Sequence, residues 1–112
     1  MLRGGSTAGQ LSPATAVNAI NRDKGVLIDV GEPAEFAAGH AGGSKNVPFG
    51  TLESSTELPK NKNVPLLLLC PTGARANRAV AILKKRGYQN TRAIGGGVAA
   101  WRDANLPMER SA

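Results

Sequence analysis

One stretch of the 112-residue sequence sets a nucleophile beside the groups that activate one. It reads Leu66-Leu67-Leu68-Leu69-Cys70-Pro71-Thr72-Gly73-Ala74-Arg75. The unbroken apolar run predicts a central parallel strand covered on both faces, which puts Cys70 at the strand's carboxyl end. A short loop and then a helix are expected to follow. In open α/β sheets, ligands bind at this edge. Backbone N–H groups in such a loop, with a helix N-terminus behind them, form a cradle for an anion. The same cradle favours thiolate over thiol and so activates the sulfur. Gly73 lets the loop curl, and Arg75, with Arg78 a turn later, adds fixed positive charge. The plain alternative is a small buried hydrophobe at a strand end, as free cysteines often are. The local pattern leaves both readings open.

Other elements must position this segment. Ser12-Pro13 opens a helix, with Ser12 as N-cap and Pro13 at the first helical position. Val17 and Ile20 share one face of it, and Gly25 is its expected stop. Residues 26–30 form a short run rich in β-branched residues that reads as a buried strand. Residues 33–38 read as one or two helical turns ended by Gly39, and 46–48 as a brief strand. Residues 51–58 read as a short helix capped by Thr51, with Ser54 and Ser55 inside it. Beyond the cysteine, Ala76, Ala79, Val80 and Leu83 recur at helical spacing, and Gly87 closes that helix. Residues 91–94 read as another strand, Gly95-Gly96-Gly97 as a tight turn and 98–104 as a last helix, stopped before Pro107. Strands alternating with helices predict an α/β fold with a mainly parallel sheet.

Composition narrows the classes. With 41% hydrophobic and 4% aromatic residues, the core must be built from Val, Ile, Leu and Ala. The length fits one domain. The division expected is a flexible leader over residues 1–10 and one domain over 11–112. The leader lacks the apolar region of a signal peptide, and no apolar run is long enough to span a bilayer. A cytoplasmic location is the default expectation. One cysteine and one histidine rule out an internal disulfide and the common zinc sites. The net charge of +6 is unevenly spread. Between Leu58 and Arg102 lie Lys60, Lys62, Arg75, Arg78, Lys84, Lys85, Arg86, Arg92 and Arg102 itself, with no Asp or Glu. Such a field attracts anions. No nucleic-acid motif accompanies it, and stacking aromatics are absent, so nucleic acid is not an expected partner.

Five segments in order resemble the rhodanese-like family. Leu27-Ile28-Asp29-Val30 with Glu32-Pro33 and Glu35-Phe36 resembles its first strand and the stretch after it. Gly39-His40 and Asn46-Val47-Pro48 resemble its Gly-His segment. Leu67-Leu68-Leu69-Cys70 with Thr72-Gly73 and Arg75 resembles its active-site loop. Ala81, Leu83 and Gly87-Tyr88 match the helix and turn after that loop. Gly96-Gly97-Val98-Ala99-Ala100-Trp101 with Leu106-Pro107 resembles its closing signature. Each match is weak alone; together, at these spacings, they are specific.

The resemblance implies a three-layer domain and a mechanism. Cys70 would be the catalytic nucleophile, taking a sulfane sulfur from a small anionic donor such as thiosulfate and holding it as a persulfide. Cyanide, a thiol or a protein acceptor would then remove it. The backbone N–H groups of Thr72, Gly73, Ala74, Arg75 and Ala76 would hold the persulfide's charge, and Arg75 would bind the donor. No cofactor or metal is implied. Two positions depart from the family pattern. Gly31 stands where Arg is usual, and Pro71 follows the cysteine and removes one N–H donor from the loop. Ala41-Gly42-Gly43-Ser44 also differs, without an obvious change of chemistry.

Other polar residues have structural readings. Asp29 and Glu32 are expected to cap loop N–H groups rather than do acid–base work. His40 is expected to be structural rather than a base for Cys70, and Trp101 to be a packing residue. Lys84, Lys85 and Arg86 suit the negative end of a helix dipole. Gly95-Gly96-Gly97 lacks the Lys-Ser/Thr of a phosphate loop. Two other functions compete. Phosphatase or arsenate-reductase members of the fold carry a longer Cys-x5-Arg loop, whereas Cys70 and Arg75 here are spaced Cys-x4-Arg. Members that lose the cysteine serve only as interaction modules; Cys70 and Arg75 argue against that, while Gly31 and Pro71 keep it open.

Overall fold

The computed structural model describes residues 10–71 and 74–111. The leader's first nine residues and the loop residues Thr72 and Gly73 lie outside that range. Among the described residues the elements run α1 (Pro13–Asp23), β1 (Val26–Asp29), α2 (Pro33–Ala38), β2 (His40–Ala41) and β3 (Lys45–Asn46). A 3-10 turn, Phe49–Thr51, is followed by β4 (Leu66–Leu69), α3 (Ala74–Lys85), β5 (Thr91–Ala93), α4 (Gly97–Asp103) and β6 (Met108–Glu109).

The central sheet has the order β3-β1-β4-β5 and all its pairings are parallel. Strand β4 is therefore interior, and its four leucines are all fully buried. Successive side chains on a strand face opposite ways, and the core divides accordingly. Leu66 and Leu68 pack with Ile28, Ala76, Ala79 and Leu83 under α3. Leu67 and Leu69 pack with Ala16, Leu27, Ile94 and Trp101 under α1 and α4. Two apolar faces on one sheet give the three layers that strand–helix alternation predicts. The antiparallel pair β2–β6 lies outside this sheet.

Local chemistry explains the boundaries. The Ser12 side chain accepts the Thr15 N–H, and Pro13 takes the first helical position, as expected. The stop of α1 comes one residue before Gly25: Lys24 adopts the left-handed conformation, with φ 60°. A Cβ on Gly25 would lie 3.2 Å from both the Ala19 carbonyl oxygen and Leu67 Cδ1, so that glycine serves close packing.

The helix expected over 51–58 does not form. Thr51 ends the 3-10 turn, and its hydroxyl donates back to the Pro48 carbonyl at 2.8 Å. Ser55 Oγ accepts the Glu57 N–H at 3.0 Å, a local bond that competes with helical pairing. Leu52 and Leu58 are both buried and hold this curled stretch to the core. Arg86 also binds it, donating to the carbonyls of Leu52 and Ser55 at 2.7 and 3.1 Å, so this side chain does more than answer the helix dipole.

The turn into α4 requires a glycine. Gly96 has φ 75°, and a Cβ there would come within 2.7 Å of Ala100 Cβ. Gly96→Ala is expected to cost about 1–3 kcal/mol through combined strain and clash. Urea unfolding checks it; an unchanged midpoint would contradict the tight turn.

Candidate active site

Cys70 follows the last residue of β4 and is 1% exposed. Its carbonyl accepts the Val98 N–H at 2.9 Å, which joins the first turn of α4 to the cysteine's backbone. Helix α3 begins at Ala74. The N–H groups of Ala74, Arg75 and Ala76 belong to its first turn and have no acceptors within the helix. The strand–loop–helix arrangement inferred from the sequence is therefore present. Thr72 and Gly73, two of the residues assigned to the cradle, lie outside the described residues.

Arg75 is held by Glu35. The guanidinium donates from Nη1 to Oε1 and from Nη2 to Oε2, each at 3.0 Å. Such a fork is the preferred geometry for this pair and fixes both side chains. Glu35 Oε1 also accepts the Glu32 N–H at 2.8 Å, at the start of α2. One carboxylate thus ties the first turn of α3 to the first turn of α2 across the mouth of the site. The Arg75 hydrogen bonds, then the Glu32 N–H, hold the Glu35 carboxyl below its ordinary value of 4.5. The charge that the sequence assigned to the donor anion is largely answered within the protein.

Asp29 ends β1 and is 2% exposed. Its Oδ1 accepts the Gly31 N–H at 2.7 Å. Capping is thus performed by Asp29 in the loop and, at the start of α2, by a reciprocal capping box in which Glu32 and Glu35 each accept the other's backbone N–H. Burial pushes the Asp29 carboxyl above its ordinary 3.8, against the lowering effect of the Gly31 bond.

The two carboxyls titrate in opposite senses. Folded Asp29 takes up a proton more readily than the unfolded chain does. Its contribution to stability is most favourable below 3.8 and falls as pH rises through the folded value. Glu35 contributes stability above 4.5 that is lost as pH falls through its depressed folded value. Asp29→Asn is therefore expected to gain stability relative to the parent as pH rises from about 3 to about 6. Unfolding free energies across that range read the slope; a flat or opposite difference would contradict a desolvated Asp29.

The two departures from the family pattern lie close together. A Cβ on Gly31 would lie 3.0 Å from Asp29 Oδ1, 3.1 Å from Glu35 Oε1 and 3.4 Å from Pro71 Cδ. The proline ring occupies the place toward which an N–H at residue 71 would point, and that place faces Gly31. A larger side chain at 31 needs its neighbours to shift. Beside these residues lies a hollow of about 300 Å³, lined by Asp29, Glu35, Pro71, Val98 and Arg102 among others.

The remaining polar residues hold structure. The buried His40 stacks on Phe36 with ring centroids 3.7 Å apart, and its Nδ1 is 2.6 Å from the Phe36 carbonyl oxygen. Its Nε2 is 3.6 Å from Glu109 across the β2–β6 pair. Trp101 is buried and donates to the Pro107 carbonyl at 2.9 Å. Among the described residues, no helix is long and apolar enough to cross a membrane.

Sequence reasoning missed the Glu35 brace and the Val98 bond. Glu35 and Arg75 are 40 positions apart, so no local spacing signals the pair. The Val98 bond joins backbone atoms of two residues brought together by the fold, and no residue type marks it.

Comparisons with known proteins agree with this architecture. The profile of the family described as Rhodanese-like domain matches residues 12–104. The uncharacterized protein slr1261 of Synechocystis is 30% identical over 101 residues, which are 90% of this chain and 56% of that protein. The chain thus spans little more than half the length of that relative. A protein of Allochromatium vinosum named sulfurtransferase is 32% identical over 84 residues, 74% of this chain and 77% of the other. In structure, the rhodanese-like domain of the Anabaena protein Alr3790 superposes with a TM-score of 0.81. That match covers 91% of this chain and 79% of the other at 19% identity, and shows a shared fold.

Proposed function

The chain belongs to the rhodanese-like domain family, and on that footing we propose that it is a sulfurtransferase whose Cys70 carries sulfur as a persulfide. The observation that carries this reading is the position of Cys70, between an interior parallel strand and the start of a twelve-residue helix. Some relatives of the family bear sulfurtransferase names, the Allochromatium protein among them. The donor is a small sulfur-bearing anion such as thiosulfate. The Cys70 thiolate attacks the outer sulfur, the donor's S–S bond breaks, and its electron pair leaves with sulfite. Cyanide or a thiolate then attacks the outer sulfur of the persulfide, giving thiocyanate or a new persulfide and restoring the Cys70 thiolate. The N–H groups from Thr72 to Ala76 stabilise the persulfide anion, and Glu35 keeps Arg75 beside the loop. No organic cofactor or metal is required by these two displacements. A reducing cytoplasm, in which a lone thiol stays reduced, suits them.

Initial-rate kinetics test the scheme. Thiocyanate formation from thiosulfate and cyanide should give parallel double-reciprocal lines, as a covalent intermediate requires. Intersecting lines would overturn it. The burial of Cys70 supports a second reading, a binding module with an inert thiol, and a folded protein that forms no thiocyanate from any sulfur donor would favour that one.

A further inference from the structure

The hollow beside Pro71 has an uneven charge that the reaction scheme leaves unused. Of its ionisable lining groups, Glu35 is answered by the Arg75 fork. Asp29 is buried, and its Oδ1 is engaged by the Gly31 N–H. Arg102 remains. Its Nε lies 3.4 Å from Asp103 Oδ1, with the two side chains 62% and 73% exposed, an arrangement that solvent weakens. Arg102 stands one helical turn after Val98 on α4, and both line the hollow. Val98 is the residue whose N–H binds the Cys70 carbonyl. One face of α4 thus connects the cysteine's backbone to a weakly compensated guanidinium. A second hollow of about 430 Å³ shares Ala38, Gly39 and Arg102 with the first and is also lined by Arg110 and Glu109.

We infer that the hollow between Pro71, Val98 and Arg102 is an anion subsite, which receives the oxyanion end of the sulfur donor with Arg102 as its charge. Arg75, engaged by Glu35, then serves to position the loop. The ligand named here rests on the sulfur-transfer reading; the place of the subsite rests on the geometry. In the first displacement the departing sulfite would occupy this hollow while the transferred sulfur stays at Cys70. A volume of about 300 Å³ is at the small end of ligand sites and suits a compact anion.

The test compares alkylation of Cys70 by iodoacetate and by iodoacetamide, an anion and a neutral reagent of similar shape. The rate ratio reports anion attraction and needs no sulfur transfer. Arg102→Gln is expected to lower the iodoacetate-to-iodoacetamide ratio by about fivefold, the worth of one nearby charge in water. Arg102→Lys should largely retain it, and added salt should shrink it in the parent. An unchanged ratio in Arg102→Gln would overturn the inference. If the parent shows the ratio but no thiosulfate ever loads Cys70, the activity fails while the subsite stands.

Discussion

Replacing Cys70 by serine is expected to lower sulfur transfer from thiosulfate to cyanide by about a thousandfold or more, the scale on which enzymes lose rate with their nucleophile. A hydroxyl is not ionised near neutral pH and cannot carry the sulfane sulfur, so the covalent route disappears rather than slowing. The fold should survive. Cys70 is 1% exposed, and a buried hydroxyl without a full set of partners costs about 1–3 kcal/mol. That is small against the 5–15 kcal/mol typical of such domains. Circular dichroism and urea unfolding of the variant separate lost chemistry from lost structure. A folded Cys70→Ser protein with near-parental thiocyanate output would place the chemistry elsewhere.

Leu68→Ala is expected to cost about 2–5 kcal/mol of unfolding free energy, the largest effect of any single truncation proposed. Leu68 is fully buried in the interior strand, in register with Ile28 on one side and Ala93 on the other. It packs in the cluster that holds Cys70, Ala76 and Ala79. The side chains around it come from three different elements, so little can collapse into the space left. For a domain of this size the loss corresponds to a fall in melting temperature of roughly 10–30 °C. Calorimetry reads it directly. A fall of only a few degrees would mean that the core relaxes around the missing side chain.

The interior strand and its cysteine were legible because a continuous apolar run has few other uses in a short α/β chain. The helix after it was legible from the spacing of Ala76, Ala79, Val80 and Leu83, three of which are buried and the fourth packed against the core. The 51–58 stretch misled because cap residues at its start and inside it favour turns as readily as helices. Strand β6 is two residues long and carries no period at all. At the site, Cys70 and Arg75 were visible as types in a pattern. Their environment was not: Glu35, Asp29 and Arg102 reach it from α2, β1 and α4, and only the fold brings them together. The most consequential difference concerns Arg75. Its sequence position next to a nucleophile suggests a substrate ligand, but the structure turns its guanidinium onto Glu35.

The measurement closest to the central claim is the intact mass of the protein after incubation with thiosulfate, beside Cys70→Ser. The account predicts a gain of one sulfur atom in the parent alone, removed again by cyanide. No gain in a folded parent with a reactive thiol, or an equal gain in Cys70→Ser, would contradict Cys70 as the carrier of sulfur.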